Sequence, residues 1–311
     1  MTMSKWKHKH LLDTQDLSRE DIQLILETAK SFKEVSSREV KKVPALRGKT
    51  VALLFAEPST RTRVSFELAA KRLSADTLSI QASGSSLTKG ETILDTALNI
   101  EAMNVDLVVI RHQSSGVPQI LANGTRMAVV NAGDGCRAHP TQALLDLFTI
   151  QEKCGRIEGL KVAIVGDILH SRVARSNISV LKTMGAQVVV CGPRTLIPAD
   201  IERLGAQVTY DIREALYGAD VVMGLRMQKE RQMEAFLPSL VEYIKEFCIT
   251  AERLKLASPK AIVMHPGPTN RGVEIAAGVA DGPQSVILEQ VTNGIAVRMA
   301  VLYLLLGKRT K

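Results

Sequence analysis

Phe55-Ala56-Glu57-Pro58-Ser59-Thr60-Arg61-Thr62-Arg63 follows directly on an apolar run, and this stretch sets the architecture. Val51 to Ala56, led in by Gly48-Lys49, has the length and composition of a buried β-strand. Beyond Pro58, the apolar positions Val64, Phe66, Leu68, Ala69 and Leu73 fall at helical spacing. A strand that turns through three hydroxyls and two guanidiniums into a helix is a candidate oxyanion cradle. The first N–H groups of a helix lack intrahelical partners, and the macrodipole places partial positive charge there. Phosphate suits such a turn, because guanidinium and hydroxyl donors add charge-assisted bonds. The plain alternative is an N-cap beside two surface arginines. Ser59 alone would fit it, but five such residues in succession argue for a ligand.

Strand-like and helix-like segments alternate onward from this turn. Strands are expected near 50–56, 77–80, 106–110 and 127–130, with helices near 61–74, 90–104 and 140–153. A second cycle has strands near 161–165, 187–191, 207–210, 220–224 and 261–264, with helices near 171–184, 199–204, 213–217 and 250–256. A helix from about Ser18 to Lys33 opens on a capping box made by Ser18 and Asp21, and a last helix runs from about Ser285 to Leu306. Such alternation predicts parallel sheets covered by helices on both faces. The fold class is therefore α/β, with two doubly wound parallel-sheet domains. Thr141 to Ile150 is apolar almost all round, so the domains are expected to be joined by buried helices and not by a flexible linker. Open α/β sheets bind ligands beyond the carboxyl ends of their strands, which puts the expected active site in the cleft between the domains.

The 311 residues suffice for two domains, and 45% hydrophobic residues supply their cores. The longest apolar run, Met299 to Leu306, is too short to span a bilayer. The basic start (Lys5, Lys7, Lys9) leads into no apolar stretch, which predicts no secretory signal. Cys136, Cys154, Cys191 and Cys248 are far apart, which fits a reducing, cytoplasmic compartment and argues against disulfides or a zinc site. The net charge of +8 raises the question of nucleic acid. No long basic run or nucleic-acid module accompanies it, and aromatics are only 4%, so small anionic substrates are the better reading.

Other strand ends also carry polar clusters. Ile110 runs into Arg111-His112, Val130 into Asn131-Ala132-Gly133-Asp134-Gly135, and His139-Pro140-Thr141-Gln142 opens a helix with Pro140 at its favoured first position. Val165 runs into Gly166-Asp167 and then Ser171-Arg172, which is not a dinucleotide fingerprint. Met223 leads towards Arg226-Met227-Gln228-Lys229-Glu230-Arg231, and Met264 into His265-Pro266-Gly267-Pro268-Thr269-Asn270-Arg271-Gly272. A lone strand-end arginine is usually a surface ion pair. The whole set points instead to cofactor-free and metal-free handling of anionic substrates by positioning and electrostatic stabilisation.

Ser59-Thr60-Arg61-Thr62-Arg63, Lys89-Gly90-Glu91, His139-Pro140-Thr141-Gln142 and His265-Pro266-Gly267-Pro268 together resemble the carbamoyltransferase family, in order over nearly the whole chain. The segment 226–231 resembles the aspartate-binding loop of its aspartate branch. The ornithine branch has a Ser-Met-Gly loop there and a cysteine where this chain has Pro266. The resemblance implies transfer of the carbamoyl group of carbamoyl phosphate to L-aspartate, the committed step of pyrimidine synthesis. It implies a carbamoyl phosphate-binding domain over 1–150, with a helix over 287–311 packing back onto it, and an aspartate-binding domain over 151–286.

Carried over by motif, Ser59, Thr60, Arg61 and Thr62 hold the phosphate. Thr62, Arg111 and His139 donate to the carbamoyl oxygen, and Gln142 with the carbonyls of Gly267 and Pro268 orients the carbamoyl NH2. Arg172 takes the aspartate α-carboxylate, and Arg226 and Gln228 take its side-chain carboxylate. Ser85 (or Ser86) and Lys89 come from the neighbouring subunit of a homotrimer, with Lys89 also reaching aspartate. The departing phosphate is the candidate proton acceptor, so no protein base is nominated. The extension Asn270-Arg271-Gly272-Val273-Glu274 suggests a higher assembly with dihydroorotase, and a separate regulatory chain would be invisible in this sequence. The rival readings are a carbamoyltransferase for ornithine or an acylated ornithine, and a catalytically silent assembly subunit. The silent reading predicts vacant site positions, yet every expected position is filled.

Overall fold

Residues 6–81, 91–228 and 239–307 are described by a computed structural model. The chain opens with α1 (Arg19–Ser36), and the expected capping box is present: Asp21 N donates to Ser18 Oγ at 3.1 Å, and Ser18 N to Asp21 Oδ2 at 3.0 Å. There follow β1 (Thr50–Phe55), α2 (Thr60–Arg72), β2 (Asp76–Gln81), α3 (Ile93–Ala102), β3 (Leu107–His112), α4 (Val117–Gly124), β4 (Ala128–Asp134) and α5 (Pro140–Cys154). The second cycle comprises β5 (Lys161–Val165), α6 (Arg172–Thr183), β6 (Gln187–Cys191), β7 (Ala206–Thr209), α7 (Ile212–Leu216), β8 (Val221–Gly224), α8 (Leu240–Phe247), α9 (Ala251–Leu254), β9 (Ile262–Met264), α10 (Ala277–Ala280) and α11 (Ile287–Leu306).

Every strand pair in both sheets is parallel. The first sheet has the order β2-β1-β3-β4 and the second β7-β6-β5-β8-β9. Val51 to Leu54, Leu107 to Ile110 and Val162 to Ile164 are fully buried, as strands covered on both faces must be. The two-domain α/β expectation holds. The strand order reverses between β1 and β3 in one sheet and between β5 and β8 in the other. Crossovers leave such a point in opposite directions and open a crevice at the strand ends.

Residues Met1–Leu145 and Thr292–Lys311 form one compact unit, and Asp146–Val291 the other. The divisions therefore fall inside α5 and inside α11. Within the first unit, Arg298 of α11 donates to Ser65 Oγ at 2.8 Å and lies 5.1 Å from the Phe66 ring centroid, which braces α2.

Two of the expected elements differ. The helix expected near 199–204 is a single 3-10 turn, Ile201–Leu204, bounded by Asp200 and Gly205 in left-handed conformation, which leaves no room for an α-helical run. The strand expected to end at 130 continues to Asp134, because buried side-chain bonds satisfy its polar end. Among the described residues, no helix is long and apolar enough to cross a membrane.

Candidate active site

The first unit collects its candidates around the β1–β3 reversal. Phe55 pairs in register with Arg111, and Ala56 N donates to Arg111 O at 2.9 Å. Ser59 stands at the N-cap of α2 with extended backbone, yet its hydroxyl makes no capping bond, and the first turn holds no acidic residue. The plain N-cap reading of Ser59 therefore fails at the side chain. Thr62 is buried, while Thr60 and Arg61 are exposed. Arg63 turns away from the cradle: its Nη1 lies 3.4 Å from Ser79 Oγ and 3.7 Å from Glu67. Of the two guanidiniums in the turn, only Arg61 remains a ligand candidate.

Arg111 is not a surface ion pair. Its Nη2 donates to Glu57 Oε1 at 3.0 Å and its Nη1 to Ala132 O at 3.3 Å, with the Arg111 side chain 12% exposed. One carboxylate at the end of β1 and one carbonyl on β4 thus aim a guanidinium that β3 supplies. His139 is buried beside the start of α5, and its carbonyl accepts from Gln142 N at 3.0 Å and Ala143 N at 3.3 Å. Gln142 is buried one turn on. Asp134, fully buried, organises the loop before His139 by accepting from Asn131 Nδ2 (2.8 Å), Gly116 N (2.7 Å) and Ala138 N (3.2 Å).

The second unit does the same around the β5–β8 reversal. Gly166 has φ +134°, and a Cβ there would meet Leu225 O at 2.8 Å, so only glycine allows the two strand exits this approach. Asp167 is fully buried and accepts from His170 N at 3.1 Å, with His170 Nδ1 at 2.9 Å. Gln228 N approaches Asp167 Oδ2 at 3.5 Å, and Gln228 Nε2 donates to His170 O at 3.1 Å. Gln228 is thereby joined to the turn that leads into α6. Ser171 caps that helix through Ala174 N at 3.1 Å, and Arg172 is its buried first residue. Arg226 is half-buried two residues after β8. Gly267, at φ +65°, and Pro268 follow β9. Ser85, Ser86, Lys89 and residues 229–231 lie outside the described residues.

Glu57, Asp134, Asp167 and His170 hold or organise the candidate residues but are not among the sequence-derived set. The available signal was a carboxylate or imidazole beside a strand end, where burial demands a partner. Which partner it finds depends on strand order.

Residues 9–152 match the family model described as aspartate/ornithine carbamoyltransferase, carbamoyl-P binding domain, and residues 158–305 match the Asp/Orn binding domain. Over 302 residues the chain is 62% identical to the aspartate carbamoyltransferase catalytic subunit of Syntrophotalea carbinolica, spanning 97% of this chain and 96% of that one. It resembles the structure of aspartate transcarbamoylase from Trypanosoma cruzi in complex with carbamoyl phosphate and aspartate (TM-score 0.86, 29% identity, 97% and 96% of the two chains). It also resembles ornithine carbamoyltransferase from Pyrococcus furiosus (TM-score 0.87, 34% identity, 99% and 100%). Enzymes with either acceptor share this fold, so the choice between acceptors rests on side chains and sequence identity.

Proposed function

The chain belongs to the aspartate/ornithine carbamoyltransferase family, and from that premise we infer the reaction: carbamoyl phosphate and L-aspartate give N-carbamoyl-L-aspartate and phosphate, the committed step of pyrimidine synthesis. The observation that carries the choice of acceptor is the pair Arg172 and Arg226 on the two strand exits of the second unit. Aspartate brings two carboxylates, which guanidiniums bind bidentately, whereas the ammonium of ornithine is repelled by both.

The roles follow from the chemistry. Ser59, Thr60, Arg61 and Thr62 at the N-terminus of α2 hold the phosphate, where hydroxyls and helix N–H groups supply donors. Thr62, Arg111 and His139 donate to the carbamoyl oxygen as it takes up charge. Gln142 and the carbonyls of Gly267 and Pro268 accept from the carbamoyl NH2 and turn its carbon towards the amine. Arg172 binds the α-carboxylate, and Arg226 with Gln228 the side-chain carboxylate. The neutral amine of aspartate attacks the carbamoyl carbon and forms the C–N bond. The C–O bond to phosphate then breaks, and the departing phosphate takes the amine proton.

The N-terminal domain carries carbamoyl phosphate and the C-terminal domain aspartate. The working unit in this reading is a cytoplasmic homotrimer, with Ser85 and Lys89 contributed by the neighbouring subunit. Of the extension that suggests a dihydroorotase partner, Glu274 is buried, which leaves Arg271 and Gly272 as its exposed part.

The purified chain, given carbamoyl phosphate with either L-aspartate or L-ornithine and assayed for ureido product, is expected to turn over aspartate alone. Turnover of ornithine, or of neither acceptor, overturns the reading.

A further inference from the structure

Residues 265–274 are gripped by a buried pair that the reaction as described leaves unused. His265 and Glu274 are 2% and 1% exposed. His265 Nδ1 accepts the Gly267 N–H at 2.8 Å, which assigns the ring proton to Nε2. Nε2 lies 3.3 Å from Glu274 Oε1, close enough to attract but off line for a hydrogen bond. The same Oε1 accepts the Asn270 N–H at 2.6 Å. An imidazole therefore holds the turn at Gly267 and a carboxylate holds it at Asn270, with Pro268 bracketed between them.

The grip is anchored in the body of the second unit. His265 N donates to Gln290 Oε1 at 2.9 Å, Gln290 Nε2 to Asp146 Oδ1 at 2.8 Å, and Asn177 Nδ2 to Asp146 Oδ2 at 2.9 Å. Gln290, Asp146 and Asn177, from α11, α5 and α6, are all buried. Glu274 Oε2 is itself buried without a hydrogen-bond partner. A buried carboxylate with an unsatisfied oxygen is costly, and an apolar residue of similar volume would hold a core at least as well. Stability alone does not account for Glu274.

We propose that His265 and Glu274 are positioning residues that set the Gly267 and Pro268 carbonyls to accept the carbamoyl NH2. The proposal rests on the carbamoyl phosphate reading above. It requires that the pair act on the amide end of that substrate and leave the phosphate end alone, because the phosphate cradle is built on α2 in the other unit. Inorganic phosphate is therefore an internal control.

The test measures dissociation constants for carbamoyl phosphate and inorganic phosphate by titration calorimetry, alongside kcat and KM and thermal melts. Glu274→Ala is expected to leave phosphate affinity within about twofold and to weaken carbamoyl phosphate about tenfold. Its kcat/KM falls by about 10²-fold, the scale of a reacting group misplaced by about an ångström. Glu274→Gln keeps an acceptor for Asn270 N and recovers most of the loss. Should the alanine variant not fold, His265→Leu decides: it removes the acceptor for Gly267 N while Glu274 still accepts from Asn270 N, and is expected to show the same selective loss. Equal weakening of both anions, an unchanged carbamoyl phosphate affinity, or no recovery in Glu274→Gln overturns the proposal. Failure of the unmodified chain to carbamoylate aspartate is a separate result, and it sinks the parent reading before any variant is made.

Discussion

His139 and Arg111 show how single residues are prepared for work. In the proposed reaction both are donors, and each is set by its surroundings: Glu57 and Ala132 hold one, and the Asp134-centred loop leads to the other. Pre-aimed donors need no reorganisation as charge develops on an oxygen, which is where most of the gain in acyl transfer arises. His139→Ala is accordingly expected to lower kcat by about 10²–10³-fold while phosphate affinity stays near that of the unmodified chain. A product-inhibition series with phosphate, run beside kcat, checks both halves; a lost phosphate site would show that His139 serves binding instead. The cations were legible in the sequence because each follows an apolar strand. Their holders were not. Glu57 and Arg111 are 54 residues apart, and only the adjacency of β1 and β3 makes them neighbours. Asp167 likewise reads as a strand-end residue until β8 is placed beside β5, which brings Gln228 to it.

Elements with a long apolar period were legible almost to their ends, and α1 shows why. Its start is written locally, in Ser18 and Asp21, and needs no tertiary partner. Burial alone would raise the Asp21 carboxyl, but bonds from His8 and from Ser18 N and Oγ outweigh it and hold the group below its ordinary 3.8. A carboxyl lowered in the folded state contributes stability above its unfolded value and loses it as pH falls through the folded one. Asp21→Asn should cost about 1 kcal/mol near neutrality, as lost caps do. The gap between its melting temperature and that of the unmodified chain should close as pH is taken well below about 4. Melts across that range check it, and a gap independent of pH would mean that shape matters more than charge. Of the α-helices that went unread, α10 has only four residues, and α4 and α8 have eight each. The buried sets of the latter two are Val117, Pro118 and Leu121 in α4 and Tyr243 in α8. Too few positions repeat for a helical period to emerge, although Ser239 caps α8 through Glu242 N and was a usable signal.

At the scale of the molecule, two parallel sheets each offer one reversal of strand order, and the proposed roles divide between them: phosphate donors at β1–β3, carboxylate-binding arginines at β5–β8. This division was legible because polar clusters follow the apolar strands in both halves of the chain. The order of the strands was not, since it is set by which crossovers pack together and not by any one segment. The proposed homotrimer adds a requirement that neither unit meets alone, a lysine from the next subunit. Lys89→Ala and Arg61→Ala chains are each expected to be nearly inactive, because every site lacks one cation. In a closed ring of three, a mixed trimer of either composition contains one site with Arg61 from one chain and Lys89 from the next. Dissociated and reassociated in equal amounts, the two inactive variants should therefore regain roughly a quarter of the unmodified activity, from random mixing in a cyclic trimer. A mixture as inactive as its components would confine the site to one chain, and Lys89 would then act within its own subunit.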